Sequence, residues 1–360
     1  MMQYMTKSKR AGLLVNFIAV MAVFVLLMLI KETHLINKYV EGILVQCCYF
    51  IIMATSLNVV LGFLGQLALG HAGFMAIGAY TSALVAKALR NAGLFTGKEL
   101  ASTLPLLLIG IICGACMAAL AGMLVGIPAL RLRGDYLAII TLGFGEIIRV
   151  IIQNLPFAGG KGLSAGKAGQ PLIGIPNLNN LYVAYFITVL GVSMMIMFVN
   201  SRHGRAVKAI REDDIASEAA GINNTYYKVL AFTISAFFAG VAGAVFAHRG
   251  LGTIQAADFT FLKSTEYVIM VVLGGMGSLT GSVIASIMLA ILPEALRAFA
   301  DYRMLIYSVV LILMMIFRPT GLCGSYEFSL RKAILALLGR LKSGPGKKPG
   351  KKSTEVTDHA

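Results

Sequence analysis

The chain runs to 360 residues, 58% hydrophobic and 13% charged, with a mean hydropathy of +0.82. A soluble domain carries roughly 25% charged residues; too few polar side chains exist here to cover a watery surface, so most of the exterior faces lipid. The net charge of +15 does not point to nucleic acid, because the basic residues fall between and beyond the apolar stretches.

Residues 1–10 form a basic N-terminus, placed in the cytoplasm by the reading below. The run 11–30 is long enough to cross a bilayer, which needs about 20 residues. It shows no small-x-small cleavage site before Lys31, so it is read as a retained first helix. Further spans are predicted at 42–61, 68–89, 104–127, 135–153, 181–199, 229–247, 266–275, 280–298 and 303–317. The total is about ten, and the one at 266–275 is short enough to be re-entrant or to merge with its neighbour. Long continuous apolar runs are not the alternating pattern of a barrel. The fold class is therefore all-α, a polytopic membrane helical bundle occupying 11–318. Cys113 and Cys116 form a CxxC inside the third of these further runs, and are read as small helix-face residues rather than a redox or zinc site.

Residues 154–180 are a Gly/Pro/Asn-rich loop, read as outer. Residues 200–228 form the long loop dense in both signs of charge, read as inner. An even number of spans places both termini on one side. With that side inside, 19 of the 31 Lys and Arg residues are inner. The assignment rests on parity, on this loop and on the nine basic residues from Arg318 to Lys352. Segment 319–342 reads as a basic amphipathic helix on the membrane surface, with Phe328, Ile334, Leu335 and Leu338 toward lipid. The stretch 343–360 reads as a disordered basic tail.

VVLGFLGQLALG (59–70) and VVLGGMGSLTGS (271–282) match at six of twelve positions. Both fall at a predicted inner-side junction, which would make them parts of a parallel internal repeat, a common plan in transporters.

A Walker A loop needs GxxxxGK[ST]. The nearest strings, at 159–164 and 344–354, have the wrong spacing, so ATP-driven transport would require a separate motor subunit. That turns attention to HGRAVKAIREDDIASEAAGINNTYYK in the charged loop. It reads as a helix carrying Arg205, Lys208, Arg211 and Glu212, followed by Asp213, Asp214 and Glu218 and closed by Gly221 with Asn223. A Lys208–Glu212 pair would steady it. A short charged helix between spans suits docking on a cytosolic partner, although an ordinary solvated loop has the same composition.

Six segments then share a pattern: GQLALGHAGFMAIGAY (65–80), PALRLRGDYLAIITLGFGEIIRV (128–150), GRAVKAIREDDIASEAAGIN (204–223), FTISAFFAGVAGAVFA (232–247), VVLGGMGSLTGS (271–282) and FRPTGL (317–322). Across roughly 42–322 the sequence resembles the permease subunits of high-affinity branched-chain amino-acid ABC importers, of the LivM type. The resemblance implies a second homologous permease subunit, two ABC ATPase subunits and a periplasmic substrate-binding protein. It also implies an inner-membrane location, no cofactor in this chain and ATP hydrolysed by the partners. In the wider importer class this loop carries an EAA-type motif that meets the ATPase. Here Glu218, Ala219 and Ala220 run directly into Gly221, whereas the general pattern places its Gly several residues later.

Gly62, Gly65, Gly70, Gly73 and Gly78, and the Ala236, Gly240, Gly243, Ala244 face, suit close helix packing. Gln66 and His71 sit among the first set and are candidate pathway residues, with hydrogen-bonded structure the commoner role for such a His. Glu146 with Arg149, and Glu294 with Arg297, stand at i,i+3 inside spans. Intramembrane charge is costly, which makes Glu146 a candidate lining residue. Asp135 is expected to cap its helix. Urea, short amides or other amino acids would suit the same architecture. A stand-alone secondary transporter would call for unpaired mid-membrane carboxylates, and no nucleophile–base pair suggests an enzyme.

Overall fold

The computed structural model describes residues 37–93, 100–130, 132, 134–155, 171–176, 180–250, 252–299, 302–317, 321–322 and 324. The expected N-terminus 1–10 and first helix at 11–30, most of the 154–180 loop, all but 321–322 and 324 of the amphipathic segment 319–342, and the tail 343–360 lie outside the described residues.

Helix α1 (Lys38–Asn58) runs on into a π-turn (Val59–Phe63). An extended stretch then leads to α2 (His71–Asn91), followed by α3 (Leu100–Ala129), α4 (Asp135–Asn154) and α5 (Leu181–Asn200). The charged loop holds α6 (Arg202–Glu212) and α7 (Asp214–Ala219). After it come α8 (Asn224–Ala247), α9 (Phe261–Gly274), α10 (Leu279–Ala295) and α11 (Arg303–Phe317). Every predicted span from 42 onward finds its helix. Five of them are long and apolar enough to cross a membrane: Lys38–Phe63, His71–Asn91, Leu104–Ala129, Leu181–Asn200 and Asn224–Ala247. Among the described residues the one departure from all-α is a two-residue ribbon, β1 (Leu172–Ile173) antiparallel to β2 (Thr253–Ile254).

Spans differ in what surrounds them. About four-fifths of the most apolar window of α1 is buried, against a third of that of α5. Helix α8 packs along α2 and α3, while α1 packs along α10, α8 and α5. The peripheral helices carry their apolar side chains outward instead: Ile112 and Leu124 on α3, Phe186 and Met197 on α5, Ile139 and Ile147 on α4. Helices apolar all round are what lipid selects.

The small residues explain how closely the central helices approach. A Cβ added at Gly78 would stand 2.4 Å from the Gly240 Cα, and one at Gly243 would stand 2.1 Å from the Met75 carbonyl oxygen. Likewise Gly70, Gly73 and Gly145 bring the start of α2 against α4, where the Thr141 Oγ1 accepts from the Leu69 N–H at 3.1 Å. Both expected glycine faces are therefore packing surfaces.

Three local expectations are corrected. At 266–275 the helix is longer than predicted and does not merge with its neighbour. It spans Phe261–Gly274 and is parted from α10 by Gly275 and Gly277, at φ 110° and 89°. Fourteen residues rise only about 21 Å, less than the ~30 Å of a hydrocarbon core, so α9 alone is too short to cross one. Asp135 is the first residue of α4 rather than its cap. Gly134, at φ 62°, holds the cap position, leaving the Asp135 carboxylate in the first turn where the helix dipole favours it. Finally, the charged loop holds two helices rather than one, because Asp213 is extended (φ −154°, ψ 113°) and its carboxylate starts a new one.

Candidate functional site: the charged two-helix loop

Three side-chain caps shape the loop. Ser201 Oγ accepts from the Gly204 N–H at 3.2 Å and starts α6. Asp213 Oδ1 accepts from the N–H groups of Ile215 (2.9 Å) and Ala216 (3.0 Å) and starts α7. Asn223 Oδ1 accepts from the Tyr226 N–H at 3.1 Å and starts α8. Each cap satisfies backbone donors that a helix start leaves open. Gly221, at φ 85°, ends α7, with its N–H on the Glu218 carbonyl at 2.9 Å.

On α6, Gly204, Val207 and Ile210 are buried against the bundle. Arg205 and Glu212 are exposed. The expected Lys208–Glu212 ion pair does not form: Lys208 carries its ammonium over the Phe63 ring, 5.1 Å from the centroid. Arg211 reaches the other way from the loop, donating from Nη1 to the Gly62 carbonyl at 2.6 Å. Gly62 lies in the π-turn that ends α1, where terminal carbonyls lack intrahelical partners and a cation is favoured.

The acidic residues divide by role. Asp213 is a cap. Asp214 turns inward, pairing through Oδ2 with Lys228 Nζ at 2.9 Å and accepting from Asn224 Nδ2 at 2.8 Å through Oδ1. Ser217 Oγ lies 3.0 Å from Asn224 Oδ1, so α7 is laced to the first turn of α8. What remains outward is Glu218, Ala219, Ala220 and Gly221, together with two apolar side chains: Ile215, 75% exposed, and Tyr226, 55% exposed. Sequence reasoning missed Ile215, Tyr226 and the Asn224–Lys228 brace. An apolar residue bracketed by acidic ones was the available signal for Ile215, whereas nothing in the string marked Tyr226.

Gln66, His71 and Glu146 are not gathered into one place by any shared hydrogen bond. His71 is buried at the start of α2, with Nε2 3.0 Å from Ser56 Oγ and 3.4 Å from Ser235 Oγ. Ser56 Oγ donates to the Met53 carbonyl and Ser235 Oγ to the Ser56 carbonyl. Both hydroxyl hydrogens are thereby spent, which leaves Nε2 as the donor to the two serine oxygens. His71 Nδ1 and Gln66 Oε1 are buried acceptors without a partner. Glu146 binds Arg149 Nε at 2.6 Å through Oε2 and accepts the Phe261 N–H at 2.9 Å through Oε1, so it caps the N-terminus of α9. The second pair, Glu294 with Arg297, stands at 3.5 Å. His248, which nothing in the sequence singled out, joins Ser82 Oγ and the Pro176 carbonyl oxygen, each at 3.0 Å.

A bundle of apolar helices with broken ends and a braced, charged two-helix loop is the plan of a membrane transport permease. The chain belongs to the family described as the branched-chain amino acid transport system permease component, whose profile matches residues 39–318. It is 36% identical over 327 residues to the high-affinity branched-chain amino acid transport system permease protein LivM of Escherichia coli K12, covering 83% of this chain and 73% of that one. Its identity to LivM of Salmonella typhimurium is 38% over 300 residues, 76% and 67% of the two chains. LivH of E. coli K12 is 24% identical over 317 residues, 82% of this chain and 97% of that one. No solved structure matches.

Proposed function

We propose that this chain is one half of a heterodimeric pore for branched-chain amino acids, and that α6 and α7 receive the movement of an ABC ATPase. Leucine, isoleucine or valine would be delivered by a periplasmic binding protein. Two ATPase subunits would hydrolyse the ATP, with no reaction and no cofactor in this chain. Similarity to both LivM and LivH, two permeases of one organism, supports a homologous second subunit. The loop then lies in the cytoplasm with both termini, in the inner membrane. Cargo with an apolar side chain agrees with a bundle whose intramembrane charges are paired.

The observation that carries the proposal is the outward face formed by α7 and the first turn of α8. Ile215, Glu218 and Tyr226 are offered to a partner while Asp213, Asp214 and Lys228 hold the helix rigid behind them. Rigid backing is what a lever needs, because a loose loop would absorb displacement instead of passing it inward. The test replaces Glu218 and Gly221 together (Glu218→Ala, Gly221→Val) in the assembled transporter. Uptake into proteoliposomes should be lost while the chain still inserts in the membrane; native uptake would remove the coupling role. Uptake by this chain without ATP and the ATPases would sink the subunit assignment.

A further inference from the structure

The two segments that repeat in sequence meet in space, and one arginine of the loop touches both. Aligning 59–70 with 271–282 places Gly62 opposite Gly274 and Gly65 opposite Gly277. Each segment is a helix end followed by a break, α1 into α2 and α9 into α10. Gly65 and Gly277 both take positive φ, 75° and 89°. Asn58, fully buried at the end of α1, ties the segments together. Its Nδ2 donates to the Ser278 carbonyl (2.9 Å) and Ser282 Oγ (2.8 Å), and its Oδ1 accepts from the Gly277 N–H (2.9 Å).

Arg211 lies across this junction. Besides the bond to the Gly62 carbonyl, a Cβ at Gly65 would stand 3.0 Å from its Cγ, and a Cβ at Gly277 would stand 3.0 Å from its Nη1. The aliphatic stem thus rests on the first repeat's glycine and the guanidinium on the second's. Both positions need glycine for two reasons at once, backbone conformation and room for this side chain. The helix ends that converge here, α1 and α9, are both C-termini, whose dipoles favour a cation between them. Lys208, one turn earlier on α6, grips the same π-turn through Phe63.

We infer that Arg211 is a positioning residue that pins α6 to both halves of the internal repeat, so that displacement of the loop reaches the α1–α2 and α9–α10 breaks together. The inference rests on the reading that α6 and α7 receive an ATPase. It assigns Arg211 away from the ATPase surface and onto the membrane junction. A π-turn at the contact agrees, since such turns are frequent at functional positions. A guanidinium also differs from an ammonium at a site that uses stem, charge and direction together.

The test uses the complete transporter in proteoliposomes, reading ATP hydrolysed per amino acid taken up. Arg211→Gln should raise that ratio at least fivefold, and Arg211→Lys should fall between it and the native protein. An unchanged ratio overturns the pin, whether uptake and hydrolysis stay native or fall in proportion. Hydrogen exchange of Arg211→Lys gives a second reading that does not need the glutamine variant to assemble. Segments 59–66 and 271–278 should both exchange at least threefold faster; a change in one alone, or in neither, overturns the inference. Should the Glu218 and Gly221 replacement leave uptake native, it is the ATPase-docking reading that fails instead.

Discussion

Gly240 is where the packing of the bundle can be tested most sharply. A methyl group there would stand 2.6 Å from Ala118 Cβ, 2.9 Å from Ala115 Cα and 2.9 Å from the Gly114 carbonyl oxygen, all on α3. Carbon atoms rest at about 3.5–4.0 Å, so α8 would have to withdraw from α3 by about 1 Å. Withdrawal is blocked behind it, because Gly78 of α2 already needs the Gly240 backbone bare. None of the obstructing atoms belongs to a flexible side chain, which puts Gly240→Ala at the upper end of the about 1–3 kcal/mol seen for overpacking. Alanine returns about 1 kcal/mol in helix propensity, leaving a net loss of about 2 kcal/mol, or a fall in Tm of roughly 3 °C. The chain has no Trp, but Cys47 and Cys48 are buried. Melting can therefore be followed in detergent with a thiol-reactive dye. Gly42→Ala is the control, since nothing lies within 4 Å of a Cβ there; it should melt with the native protein or above it. A Gly240→Ala variant as stable as native, or a Gly42→Ala variant equally damaged, would refute the close-approach argument.

Other expectations concern single side chains. Asn58→Ala strips three buried hydrogen bonds from the repeat junction and should cost about 2–4 kcal/mol in the same melting assay. Asp213→Ala removes the α7 cap, costing about 1 kcal/mol locally; faster exchange at 214–217 with α6 unaffected would be the signature. His71→Leu stays close to the native volume but loses the hydrogen bonds to Ser56 and Ser235. It should lower stability by about 1–2 kcal/mol and leave the KM of uptake unmoved, whereas a raised KM at native stability would put His71 on the substrate path. Glu146→Gln retains an acceptor for the Phe261 N–H, and its half-open ion pair with Arg149 should be worth less than about 1 kcal/mol. Glu146→Ala should free the start of α9 and speed exchange at 261–264, and equal behaviour of the two variants would contradict the capping role.

Much of this molecule was legible because lipid imposes a simple rule. A segment crossing hydrocarbon must be long, apolar and helical, so the spans from 42 onward could be read from hydropathy alone. The charged loop was legible for the complementary reason, that so many ionic groups between two spans cannot lie in lipid. The likeness of 59–70 to 271–282 could also be seen, since Gly62, Gly65 and their counterparts are identities in the string itself. Where the reading slipped, a single backbone dihedral decided: Asp213 breaks the loop helix, and Gly134 takes the cap from Asp135.

Charge partners were only partly legible, because along one helix several residues satisfy the same spacing. Helical geometry allows Lys208 to meet Glu212, and only the nearness of Phe63 draws it away. Glu146 and Arg149 did pair as spaced, yet the second oxygen of Glu146 serves a backbone N–H 115 residues away. By itself the sequence determined what must be buried in lipid, what must stay in water and to which family the pattern is similar. Only the tertiary structure decided that Arg211 bonds the Gly62 carbonyl, and that Asp214 pairs with Lys228 while Ile215 is exposed. The physical reason is that polarity is a property of each residue, whereas direction is settled by which distant backbone happens to stand opposite.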